Sequence, residues 1–215
     1  MSIQLPDALP FLAENPIVPV VVIDDAKDAV AAGEALVAGG ICCAEVTFRT
    51  AAGGDAIKAM SAVEGMTVGA GTVINGEQAR RAAELGAKFY VSPGWSQEVA
   101  EVAAELGIPY LPGVQTATEV MMALACGAKA VKFFPGGEAG GLKMVKALRG
   151  PFPTTAFVPS GGVNLGNMPE WLGDAAVPAV SGSWMIKRNL INEGKFDEIT
   201  RLAREATDKV KEIRK

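Results

Sequence analysis

The stretch Ala82-Ala83-Glu84-Leu85-Gly86-Ala87-Lys88-Phe89-Tyr90-Val91-Ser92-Pro93-Gly94 returns a short way on as Ala103-Ala104-Glu105-Leu106-Gly107-Ile108-Pro109-Tyr110-Leu111-Pro112-Gly113. In both copies a helix-forming end is followed by a glycine suited to the left-handed position past a helix, then by a short apolar run that stops at proline and glycine. Leu124-Ala125-Cys126-Gly127 continues the pattern in register. Glycines in the same position recur at Gly40, Gly65, Gly86, Gly107, Gly127, Gly150 and Gly173, a spacing of roughly 20–25 residues that calls for one repeated supersecondary unit.

The apolar runs are Cys42–Phe48, Thr67–Ala70, Phe89–Ser92, Tyr110–Val114, Ala130–Phe134, Ala156–Pro159 and Val177–Ser181, and Ile17–Ile23 precedes them all. None alternates cleanly, as expected of parallel strands covered on both faces. Amphipathic patterns such as Asp25–Ala38, Gly76–Leu85, Ser96–Leu106 and Thr116–Ala125 lie between them. The alternation predicts an α/β fold, a single (β/α)8 TIM barrel over residues 1–215. A doubly wound open sheet is the alternative, but the usual G-x-G-x-x-G after its first strand is missing. Pro6–Glu14 reads as a short N-terminal helix able to plug the lower end of the barrel, and Asn189–Arg214 as one long final helix.

Composition narrows the chemistry. The chain has 215 residues, 49% of them apolar, and a net charge of −4 with no basic run, so neither nucleic acid nor a membrane surface is expected as a partner. Met1-Ser2-Ile3-Gln4-Leu5-Pro6-Asp7 lacks the basic flank and apolar stretch of a signal peptide. Cys42, Cys43 and Cys126 read as buried free thiols of a cytoplasmic protein. There is no histidine. That excludes Ser-His-Asp and Cys-His catalysis and makes a catalytic zinc centre improbable.

Barrel enzymes carry their reactive groups at the C-terminal ends of the strands. Lys132 interrupts the apolar run Ala130-Val131-Lys132-Phe133-Phe134. A charge there is desolvated, which favours the neutral amine, and a neutral amine attacks carbonyls. A structural lysine paired with a carboxylate is the competing reading. Glu45, Thr47 and Arg49 share one face of their strand. Glu45 is a candidate proton shuttle and Arg49 a planar fork for a carboxylate, unless the two simply pair with each other. Thr72 supplies a hydroxyl after Gly69-Ala70-Gly71, and Ser92-Pro93-Gly94 ends the next run. Ser160-Gly161-Gly162-Val163-Asn164 and Ser181-Gly182-Ser183 follow the last two runs, where barrels often bind phosphate.

Glu45-Val46-Thr47-Phe48-Arg49-Thr50, Gly69-Ala70-Gly71-Thr72-Val73, Ser92-Pro93-Gly94, Lys132-Phe133-Phe134-Pro135, Ser160-Gly161-Gly162 and Gly182-Ser183-Trp184 occur in one order and spacing. Together they make the chain resemble the bacterial 2-keto-3-deoxy-6-phosphogluconate aldolases, which often also cleave 4-hydroxy-2-oxoglutarate. The resemblance runs from about Pro16 to Arg204. It implies a class I aldolase, cytosolic and homotrimeric, without metal or organic cofactor. Lys132 matches the Schiff-base lysine and Glu45 the proton-transfer carboxylate. Arg49 and Thr72 match groups that hold the pyruvate carboxylate, Pro93 lines the site, and Phe134 lies beside the pyruvate methyl. Ser160, Gly161, Gly162, Gly182 and Ser183 match the phosphate end. Two positions depart from the pattern: Ser160, where many relatives have threonine, and Ser181, where glycine is common. Arg49 argues against a related galactonate-phosphate group. The other readings are a metal-dependent barrel aldolase, a phosphosugar isomerase, and a barrel that binds a phosphorylated metabolite without turnover.

Overall fold

Several helices start where a small polar side chain caps their free N–H groups. Asn75 Oδ1 accepts from Gln78 N at 2.9 Å, Ser96 caps the next helix, and Thr116 forms a reciprocal capping box with Glu119. The computed structural model describes residues 3–214. Met1, Ser2 and Lys215, which the expected domain and the N-terminal reading include, lie outside the described residues.

In chain order the elements are α1 (Leu9–Glu14), β1 (Ile17–Val21), a 3-10 turn (Ala26–Asp28), α2 (Ala29–Ala38), β2 (Cys43–Thr47), α3 (Gly53–Met60), β3 (Thr67–Gly71), α4 (Gly76–Glu84), β4 (Tyr90–Val91) and α5 (Gln97–Leu106). There follow β5 (Tyr110–Leu111), β6 (Gly113–Val114), α6 (Ala117–Ala125), β7 (Ala130–Phe133), α7 (Gly141–Arg149), β8 (Ala156–Pro159), α8 (Met168–Leu172), β9 (Val180–Gly182), α9 (Arg188–Asn192) and α10 (Phe196–Ile213). All the strand pairings are parallel. They form a curled six-stranded sheet, β5-β4-β3-β2-β1-β9, and a three-stranded sheet, β6-β7-β8. A single parallel bridge, Ser160 to Ser181, joins the edge of the second sheet to the first.

The structure corrects four sequence expectations. The run Tyr110–Val114 is two strands and not one, because Pro112 has no N–H to give to a ladder, and the hydrogen-bonded ladders make two sheets. The expected helix Asn189–Arg214 is broken into α9 and α10 around Gly194, whose φ of 65° is left-handed. Gly40, Gly65, Gly86, Gly107 and Gly127 take the expected positive φ, but Gly150 (−50°) and Gly173 (−73°) are right-handed. Cys43 and Cys126 are buried free thiols, whereas Cys42 is exposed, because it lies in the loop before β2, whose five residues are all buried.

Two apolar clusters form the core. The larger fills the space between strands and helices. The smaller gathers Val18, Cys43, Phe89, Val91, Leu111, Ala130, Val158 and Ala179 around Ala8 and Leu12. Val18, Cys43 and Ala130 stand at or next to the starts of their strands, so α1 closes the N-terminal end of the strand assembly, as the pattern Pro6–Glu14 suggested. Most buried polar residues lie toward the other end; Thr155, just before β8, is an exception. Among the described residues, no helix is long and apolar enough to cross a membrane.

Leu12 is 1% exposed and central to this seal. Leu12→Ala is expected to lower unfolding free energy by about 2–5 kcal/mol, measured by urea denaturation. A loss below about 1 kcal/mol would mean that α1 merely rests on the surface.

Candidate active site

Glu45 occupies the middle of β2, paired with Val20 of β1 and Gly69 of β3. Lys132 lies on β7, between Gly113 of β6 and Val158 of β8. The two residues belong to different sheets, yet Lys132 Nζ lies 3.1 Å from Glu45 Oε1 and 3.2 Å from Oε2. Their side chains are only 3% and 1% exposed. Lys132 is therefore paired with a carboxylate, and the Glu45–Arg49 pairing considered from sequence does not form. A buried ion pair loses about as much in desolvation as it gains by attraction, and apolar replacements are often at least as stable. Stability alone therefore gives weak grounds for keeping this pair.

Glycine makes room for it. A Cβ on Gly71 would overlap Glu45 Cγ and Oε1, and one on Gly113 would overlap the carbonyl of Pro93. Pro93 thus packs one strand away from Lys132, through its ladder partner Gly113. Lys132 Nζ also lies 5.7 Å from the centre of the Phe134 ring, within cation–π range. Other buried acid–base groups are idle: burial pushes the Tyr90 and Tyr110 hydroxyls up to about 12, so neither phenol is a base at neutral pH.

Phe134 and Val20, which adjoin Lys132 and Glu45, also line a cavity of about 140 Å³, together with Arg49, Ser160, Gly161, Gly162, Val163, Gly182 and Ser183. It unites most of the binding residues expected from sequence. Thr72 is off its wall but joined to it, since Arg49 Nε donates to Thr72 Oγ1 at 3.0 Å. Thr72 itself has φ 57°, left-handed for a β-branched residue. Gly161 and Gly162 have φ of 91° and 76°, a backbone shape that a side chain would strain. Asn164 and Asn167 donate side-chain N–H groups to Gly162 O at 3.3 and 2.8 Å. Gly136 N and Gly137 N, after β7, donate to Ser160 O and Gly161 O at 2.7 and 3.0 Å. Across the same end, Arg188 Nε donates to Asp24 at 2.7 Å. Arg188 and then Asn192 hold the Asp24 carboxyl below its ordinary range.

Val20, Val163 and Asn167 were not singled out from sequence. The valines look like core because they are core on one side, and Asn167 carries no signal beyond a common turn residue. Among the described residues, no group of three or more Cys, Asp or Glu side chains is placed to hold a metal ion.

An amine kept from water, with one proton acceptor in contact, is suited to condense with a ketone and pass protons as the adduct rearranges. The geometry suits a lyase of the Schiff-base kind. A family model described as "Aldolase: KDPG and KHG aldolase" matches residues 10–202. The KHG/KDPG aldolase of Escherichia coli K12 is 40% identical over 202 residues, covering 94% of this chain and 95% of that protein. The crystal structure of the Zymomonas mobilis 2-keto-3-deoxy-6-phosphogluconate aldolase superposes with a TM-score of 0.87 at 39% identity, covering 93% and 96% of the two chains. The Legionella pneumophila KDPG aldolase, solved with pyruvate captured at low pH as a covalent carbinolamine intermediate, gives 0.88 at 37% identity, covering 92% and 97%. The chain belongs to the KDPG and KHG aldolase family.

Because Gly71 leaves the space that the Glu45 carboxylate fills, Gly71→Ala should displace that carboxylate from Lys132. Lyase kcat is expected to fall by at least about 10²-fold, the scale of lost general acid–base help, with the fold retained by circular dichroism. Near-normal kcat would mean that the Glu45 position is not critical.

Proposed function

We propose that the chain is a class I aldolase that cleaves 2-keto-3-deoxy-6-phosphogluconate to pyruvate and glyceraldehyde 3-phosphate, with 4-hydroxy-2-oxoglutarate, giving pyruvate and glyoxylate, as a second substrate. The observation that carries the reading is Lys132 Nζ, buried and 3.1 Å from Glu45 Oε1. The proton that must leave the ammonium before attack has its acceptor in contact.

Nζ adds to the C2 ketone, and loss of water gives a protonated imine. Glu45, through a water molecule, takes the proton of the C4 hydroxyl. The C3–C4 bond breaks, its electrons pass into the imine to form an enamine, and the aldehyde leaves. Glu45 returns the proton to C3, and water hydrolyses the restored imine to pyruvate and free Lys132. Arg49 and Thr72 hold the carboxylate of the pyruvyl half, with Pro93 and Phe134 flanking it. Ser160, Gly161, Gly162, Gly182 and Ser183 hold the phosphate, where bare backbone allows close approach.

In this reading the strands form one closed (β/α)8 barrel in a single domain spanning 1–215. Three observations support closure: only Pro112 separates β5 from β6, Ser160 and Ser181 bridge the other seam, and Glu45 meets Lys132 across the interior. We propose a cytoplasmic homotrimer, and the exposed Met121 and Met122 of α6 are apolar surface for subunit contact.

The test is pyruvate release from each substrate by the purified protein and by Glu45→Gln, which keeps shape and removes basicity. Wild type should turn over the phosphorylated substrate, and the variant's kcat should be lower by at least about 10²-fold. Absence of pyruvate release by the wild type would refute the activity, and undiminished release by the variant would remove Glu45 from the mechanism.

A further inference from the structure

Ser181 is 1% exposed, and its Oγ has no hydrogen-bond partner among the described residues. A buried hydroxyl left unpaired weakens a fold, and such groups are uncommon in native interiors. Its direction follows from register. Ser181 pairs with Val18, and Val18 and Ala179 both belong to the inner cluster around Leu12. Alternation along β9 therefore turns Ser181, like Ala179, toward the interior. On its other side Ser181 bridges to Ser160, which lines the cavity. Parallel neighbours stand about 4.8 Å apart, so the structure sets the two serines side by side, Ser160 lining the cavity and Ser181 buried next to it.

Their place along the substrate is also defined. In the aldolase reading Lys132 takes the ketone end, and Phe134, whose ring lies 5.7 Å from Lys132 Nζ, lines the cavity together with the loops Gly161-Gly162 and Gly182-Ser183. Ser160, just past β8, and Ser181, in β9, lead directly into those loops. A sugar-acid chain spanning the two ends carries free hydroxyls in its middle. A hydroxyl donates and accepts at once, and two adjacent serines can meet both needs. Serine moves readily among three staggered wells, so Oγ can turn toward Ser160 when a partner arrives.

Resting on the aldolase reading, we infer that Ser181 is a specificity-determining residue: with Ser160 it hydrogen-bonds the hydroxyl next to the carbonyl carbon of the aldehyde half. This gives the unpartnered Oγ a function, and it predicts a preference for hydroxylated over deoxygenated aldehydes of the same length and charge.

The experiment runs the reaction in the condensation direction. Pyruvate is offered with D-glyceraldehyde 3-phosphate or with 3-oxopropyl phosphate, which keeps the phosphate and chain length but lacks that hydroxyl. Wild type, Ser181→Ala and Ser181→Gly are compared. In both variants kcat/KM for glyceraldehyde 3-phosphate should fall about 3- to 10-fold, the span of one neutral hydrogen bond. The value for 3-oxopropyl phosphate should stay within about twofold, and borohydride trapping of pyruvate on Lys132 should persist. Equal losses for both aldehydes would make Ser181 a packing residue, and no loss for either would make it an idle hydroxyl; both results overturn the inference while leaving the aldolase reading intact. A wild-type protein that forms no imine and condenses neither aldehyde overturns both.

Discussion

The contact between Lys132 Nζ and Glu45 Oε1, 3.1 Å long and buried, is the constraint to which the rest of the site conforms. Two ionisable groups in a low-dielectric interior must be held at hydrogen-bonding distance or one of them becomes a large liability. The pair therefore fixes which side chains may stand nearby. Gly71 and Gly113 are small because anything larger would overlap Glu45 or the Pro93 carbonyl. Val20 and Val158, the ladder neighbours of Glu45 and Lys132, supply dry walls.

The two ends of the strand assembly divide the work. At the N-terminal end Leu12 and a ring of apolar residues close the interior, with the Cys43 thiol buried among them and donating to Ile17 O. At the C-terminal end the loops are held in shape by side chains outside the cavity. Asn164 and Asn167 fasten Gly162 O, the loop after β7 is bonded to the loop after β8, and Arg188 ties the segment after β9 to Asp24 past β1. The glycine backbones at 161 and 162, with positive φ, are thereby fixed on the lining of the cavity.

Much of this could be read from the chain because its signals are local. A helix end, a glycine and an apolar run repeat visibly, and a lysine within such a run stands out by its charge. What escaped reading depends on contacts between distant residues or on backbone geometry. Pro112 splits a strand that composition alone shows as continuous, and Gly194 stops a helix whose amphipathic pattern runs straight through it. Glu45 has two basic candidates in sequence, and only the interior geometry selects Lys132 over Arg49. Val20 and Val163 serve the cavity with side chains that any core would use. Ser181 was visible as an unusual residue, but its unpaired hydroxyl is a property of the fold.

The central claim is that Lys132 forms a covalent imine with the ketone. Its most direct test is borohydride reduction in the presence of pyruvate, followed by peptide mass mapping. The account predicts a single carboxyethyl adduct on the peptide carrying Lys132, formed only when pyruvate and reductant are both present. An adduct on another lysine, such as the exposed Lys129 paired with Asp7, would contradict it, as would an enzyme that turns over and leaves Lys132 unmodified.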